Sequence, residues 1–262
     1  MSTTTETRIH PTAIIDPAAR LDSGVVVEPY AVIDADVEIG AGSVIGSHTR
    51  IMPGARIGRD VKIHPGAVIA NVPQDLKFGG EPTLLIVGDR TVIRECATLN
   101  RGTIAHGKSV IGADCLIMAY SHVAHDCTLG DRVILANAVQ LGGHVTIGDW
   151  AILGGAVVVH QFSLIGEHVM IGGGFRITQD VPPFAVVGGY PARVLSVNKI
   201  GLERRGFKPD EVKDLSRAFR ILYKSGLNVT QAMERLNAEG PHTPHVKRLI
   251  EFYAQSDRGV MR

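Results

Sequence analysis

From Ile9 the chain places an aliphatic residue at every sixth position, through Ile15, Leu21, Val27, Ile33, Ile39, Ile45, Ile51, Ile57, Ile63 and Ile69. The step returns at Val87, Ile93 and Leu99 and again from Ile111 to Ile177. Of the 29 slots between residues 9 and 177, 26 hold Ile, Val or Leu, where composition alone would fill roughly eight, so the period is structural. The residue two before most slots is small, as at Ala13, Ala31, Ser43, Ala67, Cys115, Ser121 and Cys127. Two inward positions at a spacing of two, followed by a turn, describe a short strand that shows alternate side chains to a narrow interior. Each hexad is therefore one strand and one corner. The repeat predicts a mainly β fold, a parallel β-helix in which three sides, and so three hexads, would close each coil. Neither the number of sides nor the hand follows from the pattern. Glycines that follow the slot, including Gly40, Gly58, Gly112, Gly130 and Gly166, read as corner residues at positive φ.

Two segments break the period. Residues 71–86 put Asp75 and Glu81 in slots, and residues 105–110 form a shorter break; both read as loop excursions from the coil. Past Pro182-Pro183 the period ends and helical patterns replace it. A helix is predicted from Pro209 to Ser225-Gly226 with Val212, Leu215, Phe219 and Leu222 on one face, another over Thr230 to Ala238, and a third from Thr243-Pro244. The expected organisation is a β-helix over 1–196 and a C-terminal helical domain over 197–262.

The overall net charge of +1 is close to zero, which argues against a nucleic-acid binder. It divides unevenly, with +5 over residues 197–262 and −4 over the rest, so the helical end could dock an acidic protein or a phosphorylated ligand. The cysteines Cys96, Cys115 and Cys127 form no CxxC pair, and the opening MSTTTETRIHP lacks an apolar leader; a cytoplasmic protein without a membrane span is the expectation. Cys115 and Cys127 fall on inward positions and read as small hydrophobes.

Polar residues with chemical potential crowd into 117–162: His122, His125, Asp126, His144, His160 and Gln161. Stacking by three hexads per coil puts Asp126 beside His144, and His125 in line with Gly143 and Gln161, roughly 4.8 Å per coil. Their places in the hexad are not the inward ones, so His125 and Asp126 are expected to face solvent or a neighbour. An imidazole oriented by a carboxylate suits general-base catalysis, and three imidazoles suit zinc; the residues leave both open. Gly142-Gly143 could present a backbone N–H to an oxyanion or simply turn the corner.

The ordered motifs QDLKF (74–78), GEPT (80–83), RGT (101–103), HVAHDC (122–127), GGHV (142–145), VHQF (159–162), QDVPP (179–183) and NKIGLERRGF (198–207) resemble those of the acyl-[acyl-carrier-protein] UDP-N-acetylglucosamine O-acyltransferases over nearly the whole chain. The resemblance implies a left-handed β-helix, a homotrimer with sites between neighbouring prisms, and no cofactor or metal. It implies transfer of a 3-hydroxyacyl group from acyl carrier protein to the 3-position of UDP-GlcNAc, or of a 3-amino analogue, in the first step of lipid A assembly. By likeness His125 is the general base, Asp126 supports it and the Gly143 amide holds the oxyanion. Asp75, Lys77, His122, His144, Gln161, Asn198, Arg204 and Arg205 match positions that handle sugar nucleotide or acyl chain, and Gly173 lies in the region that limits acyl length. GGYPARVLS at 188–196 departs from that pattern and resembles the exit of acetyl-CoA-dependent hexapeptide acetyltransferases. An acetyltransferase, a zinc enzyme and a noncatalytic β-helical scaffold are the rival readings.

Overall fold

The computed structural model describes residues 6–262; the start of the opening segment read above, residues 1–5, lies outside the described residues. The repeat folds as three sheets whose strands follow one another in rotation. The first face begins with Arg8–Ile9, the second with Ile14–Ile15 and the third with Arg20–Leu21, and they grow to 11, nine and eight strands. Pairing between coils is parallel until the last strand, Arg193–Val197, which turns back antiparallel on Ala185–Gly188. In most hexads the strand is only two residues long, and its second residue is the aliphatic slot. Ile33, Ile45, Ile51, Ile69, Leu99, Ile117 and Leu141 are at most 1% exposed, each worth about 1.5–3 kcal/mol of burial. Among the described residues no coil lies below the first, so its slot residue Ile9 stays 51% exposed.

Corner geometry differs from the expectation for glycine. The left-handed conformation falls three residues after the slot, at Tyr30, Asp36, His48, Asp60, Asp114, Asp126, His144, Trp150, Phe162 and His168, among others. The glycines directly after the slot do not have positive φ. They are there for space: a Cβ on Gly40 would lie 2.6 Å from the Gly58 carbonyl of the next coil, and one on Gly46 2.7 Å from the Ile63 oxygen. Coils touch backbone to backbone at this step, and only hydrogen fits between them.

Both excursions leave the edge between the second and third faces. The first runs between the strands Val68–Asn71 and Leu84–Val87. The second occupies the gap between Thr98–Asn100 and Lys108–Ile111, so it begins earlier than the period placed it, and Lys108, Ser109 and Val110 are strand. The added residues lengthen the coils that carry them. Ile69 pairs with Leu99, five hexads on, and Leu99 with Val123, four hexads on, before Val123 pairs with Leu141 at the regular three. The register slips because the loops bulge sideways while the slots beneath keep stacking.

At the C-terminal end four helices follow: α1 (Lys199–Arg204), α2 (Pro209–Lys224), α3 (Val229–Ala238) and α4 (Pro244–Gln255). Pro at the first turn of α2 and α4 fits their starts, and Val212, Leu215, Phe219 and Leu222 are buried as the stripe on α2 predicts. The chain then returns to the prism, where the Met261 amide donates to the Asp180 carbonyl at 2.8 Å. No helix among the described residues is long and apolar enough to cross a membrane.

Candidate active site

The edge that carries both excursions also carries the histidines. After the strand His122–Val123 the chain turns through His125 and Asp126, and one coil later, after Gln140–Leu141, through Gly143 and His144. Asp126, His144 and Phe162 hold the left-handed corner, at φ +58, +61 and +62. His125, Gly143 and Gln161 form the ladder just before it. A Cβ on Gly143 would lie 2.7 Å from both Nε2 and Cε1 of His125, so the imidazole packs directly on the backbone of the next coil. Gly143 is buried, and its amide has no hydrogen-bond partner among the described residues.

Asp126 departs from its expected surface place, because it is 2% exposed. The second excursion covers it. The Thr103 amide donates to Oδ1 at 2.9 Å, the Thr103 hydroxyl donates to Oδ2 at 2.6 Å, and His125 Nδ1 lies 2.8 Å from the same Oδ2. Burial pulls the carboxyl upward, but the donors from Thr103 and His125, with the neighbouring His144, outweigh it and hold Asp126 below its ordinary value. An ionised Asp126 accepts a hydrogen bond from Nδ1–H, which leaves the lone pair on Nε2 of His125. The His125 side chain is 14% exposed.

His144 is held by rings. It stacks on Phe162 at 4.3 Å and meets His125 and His106 edge-on at 5.1 and 5.2 Å. Its Nε2 is 3.8 Å from Asp126 Oδ2, too far for a hydrogen bond. Burial lowers its pKa, helped by His125 and His106 against Asp126 and Asp75, so at neutral pH it is an uncharged wall. His122 pairs through Nδ1 with the Thr98 hydroxyl at 2.8 Å, and burial, then His125, lower it as well. Asp75 anchors the turn of the first excursion by accepting from the Lys77 amide at 3.0 Å; Lys77 and Gln161 are exposed at the same edge. The structure thus gathers His125, Asp126, Gly143, His122, His144, Gln161, Asp75 and Lys77 together.

Four predicted residues lie elsewhere. Asn198, Arg204 and Arg205 sit at the edge between the third and first faces. Asn198 caps α1 by accepting from the Gly201 amide at 3.2 Å and donates to the His168 carbonyl at 2.9 Å, so both ends of its side chain already serve the fold. Arg205 donates to the Trp150 carbonyl at 3.0 Å, lies 3.2 Å from His168 Nδ1 and covers the Trp150 ring, whereas Arg204 is exposed. Gly173 stands at the remaining edge, where a Cβ would come within 3.0 Å of the Gly155 oxygen.

Three members of the site were given no role by the sequence reading: Thr103 and Phe162, which close the motifs RGT and VHQF, and His106. Only Phe162 had a usable signal, since it follows His144 by one regular coil of three hexads. His125, Asp126 and His144 also lie within 4.8 Å of one another, a spacing a cation can use. Both Asp126 oxygens, however, already accept from Thr103 or His125, which is the donor set of an oriented imidazole.

The family model described as bacterial transferase hexapeptide (six repeats) matches residues 36–71 and 108–143. The one described as UDP N-acetylglucosamine O-acyltransferase, domain 2, matches 180–261. Proteins named acyl-[acyl-carrier-protein]–UDP-N-acetylglucosamine O-acyltransferase from Alkalilimnicola ehrlichii and Burkholderia lata are 49% and 46% identical to this chain, each match covering 98% of it and 100% of the relative. A solved UDP-N-acetylglucosamine acyltransferase from Bacteroides fragilis superimposes with a TM-score of 0.94 at 41% identity, over 97% of this chain and 100% of that one. The prism is accordingly a left-handed parallel β-helix with a short helical end. Identity of this order over the full length of both partners means that the chain belongs to the acyl-[acyl-carrier-protein]–UDP-N-acetylglucosamine O-acyltransferase family.

Proposed function

We propose that this chain moves a 3-hydroxyacyl group from the thioester of an acyl carrier protein to the 3-position of the glucosamine in UDP-GlcNAc, the first step of lipid A assembly, in the cytoplasm. The observation that carries the reading is the 2.8 Å contact between His125 Nδ1 and buried Asp126. It fixes the tautomer in which Nε2 takes the proton of the sugar hydroxyl while that oxygen attacks the thioester carbonyl. The unpartnered Gly143 amide then donates to the tetrahedral oxyanion. Collapse expels the carrier thiol, which leaves with the proton from the imidazolium, and the enzyme is restored.

The split of predicted residues over separate edges supports a homotrimer in which a neighbour's Asn198–Arg205 edge approaches the His125 edge. Leu76, fully exposed, and Ile104, 84% exposed, stand on the two excursions as apolar surface for such a neighbour. Arg204 then has a free guanidinium for the diphosphate. The helical end, at +5, steers the acidic carrier protein, so kcat/KM falls as salt rises. In the acyl-length region only Gly174 faces open space, whereas a Cβ on Gly172 would meet the Phe175 ring and one on Gly173 the Gly155 oxygen.

The test is transfer to UDP-GlcNAc from carrier-bound 3-hydroxyacyl groups of graded length, beside a 3-amino acceptor and an acetyl-CoA donor. Turnover from the carrier, unchanged by a chelator, is expected. Transfer from acetyl-CoA with none from any acyl carrier overturns the reading in favour of an acetyltransferase.

A further inference from the structure

The Arg101-Gly102-Thr103 segment has a defined place for every residue, and only part of it is explained by folding the loop. Arg101 donates to the Pro53 carbonyl at 2.8 Å and lies over the Phe78 ring, tying the two excursions to the prism. Gly102 is where the loop crosses itself, since a Cβ there would overlap the Lys108 backbone. The loop closes when the Gly107 amide donates to the Thr103 carbonyl at 2.7 Å, and Glu81 of the first excursion accepts from the Ile104 amide at 3.2 Å. None of these contacts needs a hydroxyl at residue 103.

That hydroxyl nevertheless has a settled direction. Thr103 Oγ1 accepts from the Ala105 amide at 3.2 Å, so its own proton is free for Asp126 Oδ2, 2.6 Å away. Thr103 is 5% exposed and Asp126 2%, so water does not replace this bond cheaply. Oδ2 is also the atom that receives His125 Nδ1. Two donors converge on one oxygen, with a third, the Thr103 amide, on the other.

We propose that Thr103 is a positioning residue for the acyl transfer, acting through Asp126 to hold the His125 imidazole in place and to keep the carboxylate beneath it charged. The inference rests on the reading of His125 as general base. The excursion around Thr103 is thus part of the catalytic apparatus and not only an ornament of the prism edge. The groups that face the pair are His122 on the same coil, His144 on the next, His106 on the excursion of Thr103, and Asp75 on the other. Thr103→Val keeps the shape and the amide donor but removes the hydroxyl. With one donor fewer the Asp126 carboxylate is less well held as an anion and keeps its proton to higher pH, so the acid limb of kcat/KM moves up by about one unit.

The experiment measures kcat and KM against pH for wild type, Thr103→Val, Thr103→Ser and His125→Ala, with circular dichroism to confirm folding. Histidine 15N spectra of the substrate-free protein read the ring directly. Expected are an upward shift of the acid limb and a loss in kcat of about tenfold for Thr103→Val, with KM for the sugar nucleotide within about twofold. Thr103→Ser restores the wild-type limb. If Thr103→Val lowers kcat equally at all pH values, or leaves both the limb and the His125 resonances unmoved while His125→Ala is inactive, Thr103 is structural and the inference fails alone. If His125→Ala remains fully active, the general-base reading fails first. If Thr103→Val does not fold, a Thr103→Ser profile with a displaced limb overturns the proposal, and a matching profile, with His125 15N shifts unchanged, upholds it.

Discussion

Two edges of the same prism stack their corner residues by the same step of one coil and reach opposite chemical ends. One carries Asp126, His144 and Phe162, the other Arg132, Trp150 and His168, all at the left-handed position. At the first edge a loop brings Thr103 down on Asp126, and the carboxylate is left to hold His125. At the second, the end of α1 brings Arg205 down on Trp150 and His168, while Arg132 lies over the same Trp150 ring at 4.8 Å. At His168 burial, then the Arg205 cation, disfavours the charged ring; at His125 the carboxylate accepts from the ring and orients it. The backbone supplies a row of side chains at fixed intervals; the segment laid over the row decides what chemistry the row can do.

The contrast is broken most severely by changing the anion. Asp126→Asn removes the charge below His125 and permits the wrong tautomer, and a fall in kcat of about 10³ is expected in steady-state transfer assays. Gly143→Ala should lose about 10²-fold, because its Cβ would sit 2.7 Å from the imidazole and push it out of line. At the other edge Trp150→Ala should act on stability, lowering it by about 2 kcal/mol in urea unfolding while kcat per folded enzyme stays within about twofold.

The smallest effect concerns pH. Burial, then Arg205 and His245, push the His168 pKa from 6.5 down to about 4. Above 6.5 the ring is neutral folded or unfolded and costs nothing. As pH falls below 6.5 the unfolded chain binds a proton that the fold refuses, so stability declines until about pH 4 and then levels. Urea midpoints across this window should drop, and His168→Gln should flatten the part that His168 causes, leaving a weaker slope from His122 and His144, whose values are also lowered.

How much of this was legible in the sequence follows from which contacts keep the period. The slots at Ile33 or Leu141 were plain because each hexad returns to the interior, and the Asp126–His144 neighbourhood because every third hexad returns to the same edge. Phe162 obeys the same rule and could have been read. Thr103 could not, since it reaches Asp126 only through a loop that alters the spacing, so no whole number of hexads joins the two. For the same reason the burial of Asp126 was hidden: hexad position places a side chain outside the prism but says nothing of what covers it. Glycines after the slot were legible as corners and misread in role, because composition does not distinguish a need for positive φ from a need for space. The short α1, with Gly201 inside it and Asn198 at its cap, carries no long apolar stripe, and the binding role carried over for Asn198 overlooked its work as a cap.

The measurement that bears most directly on the account is the initial rate of transfer from a 3-hydroxyacyl carrier protein to UDP-GlcNAc at low salt, for wild type and for folded His125→Ala side by side. The account predicts turnover by wild type and a loss of about 10³-fold or more in the variant. Equal rates in the two proteins would contradict it.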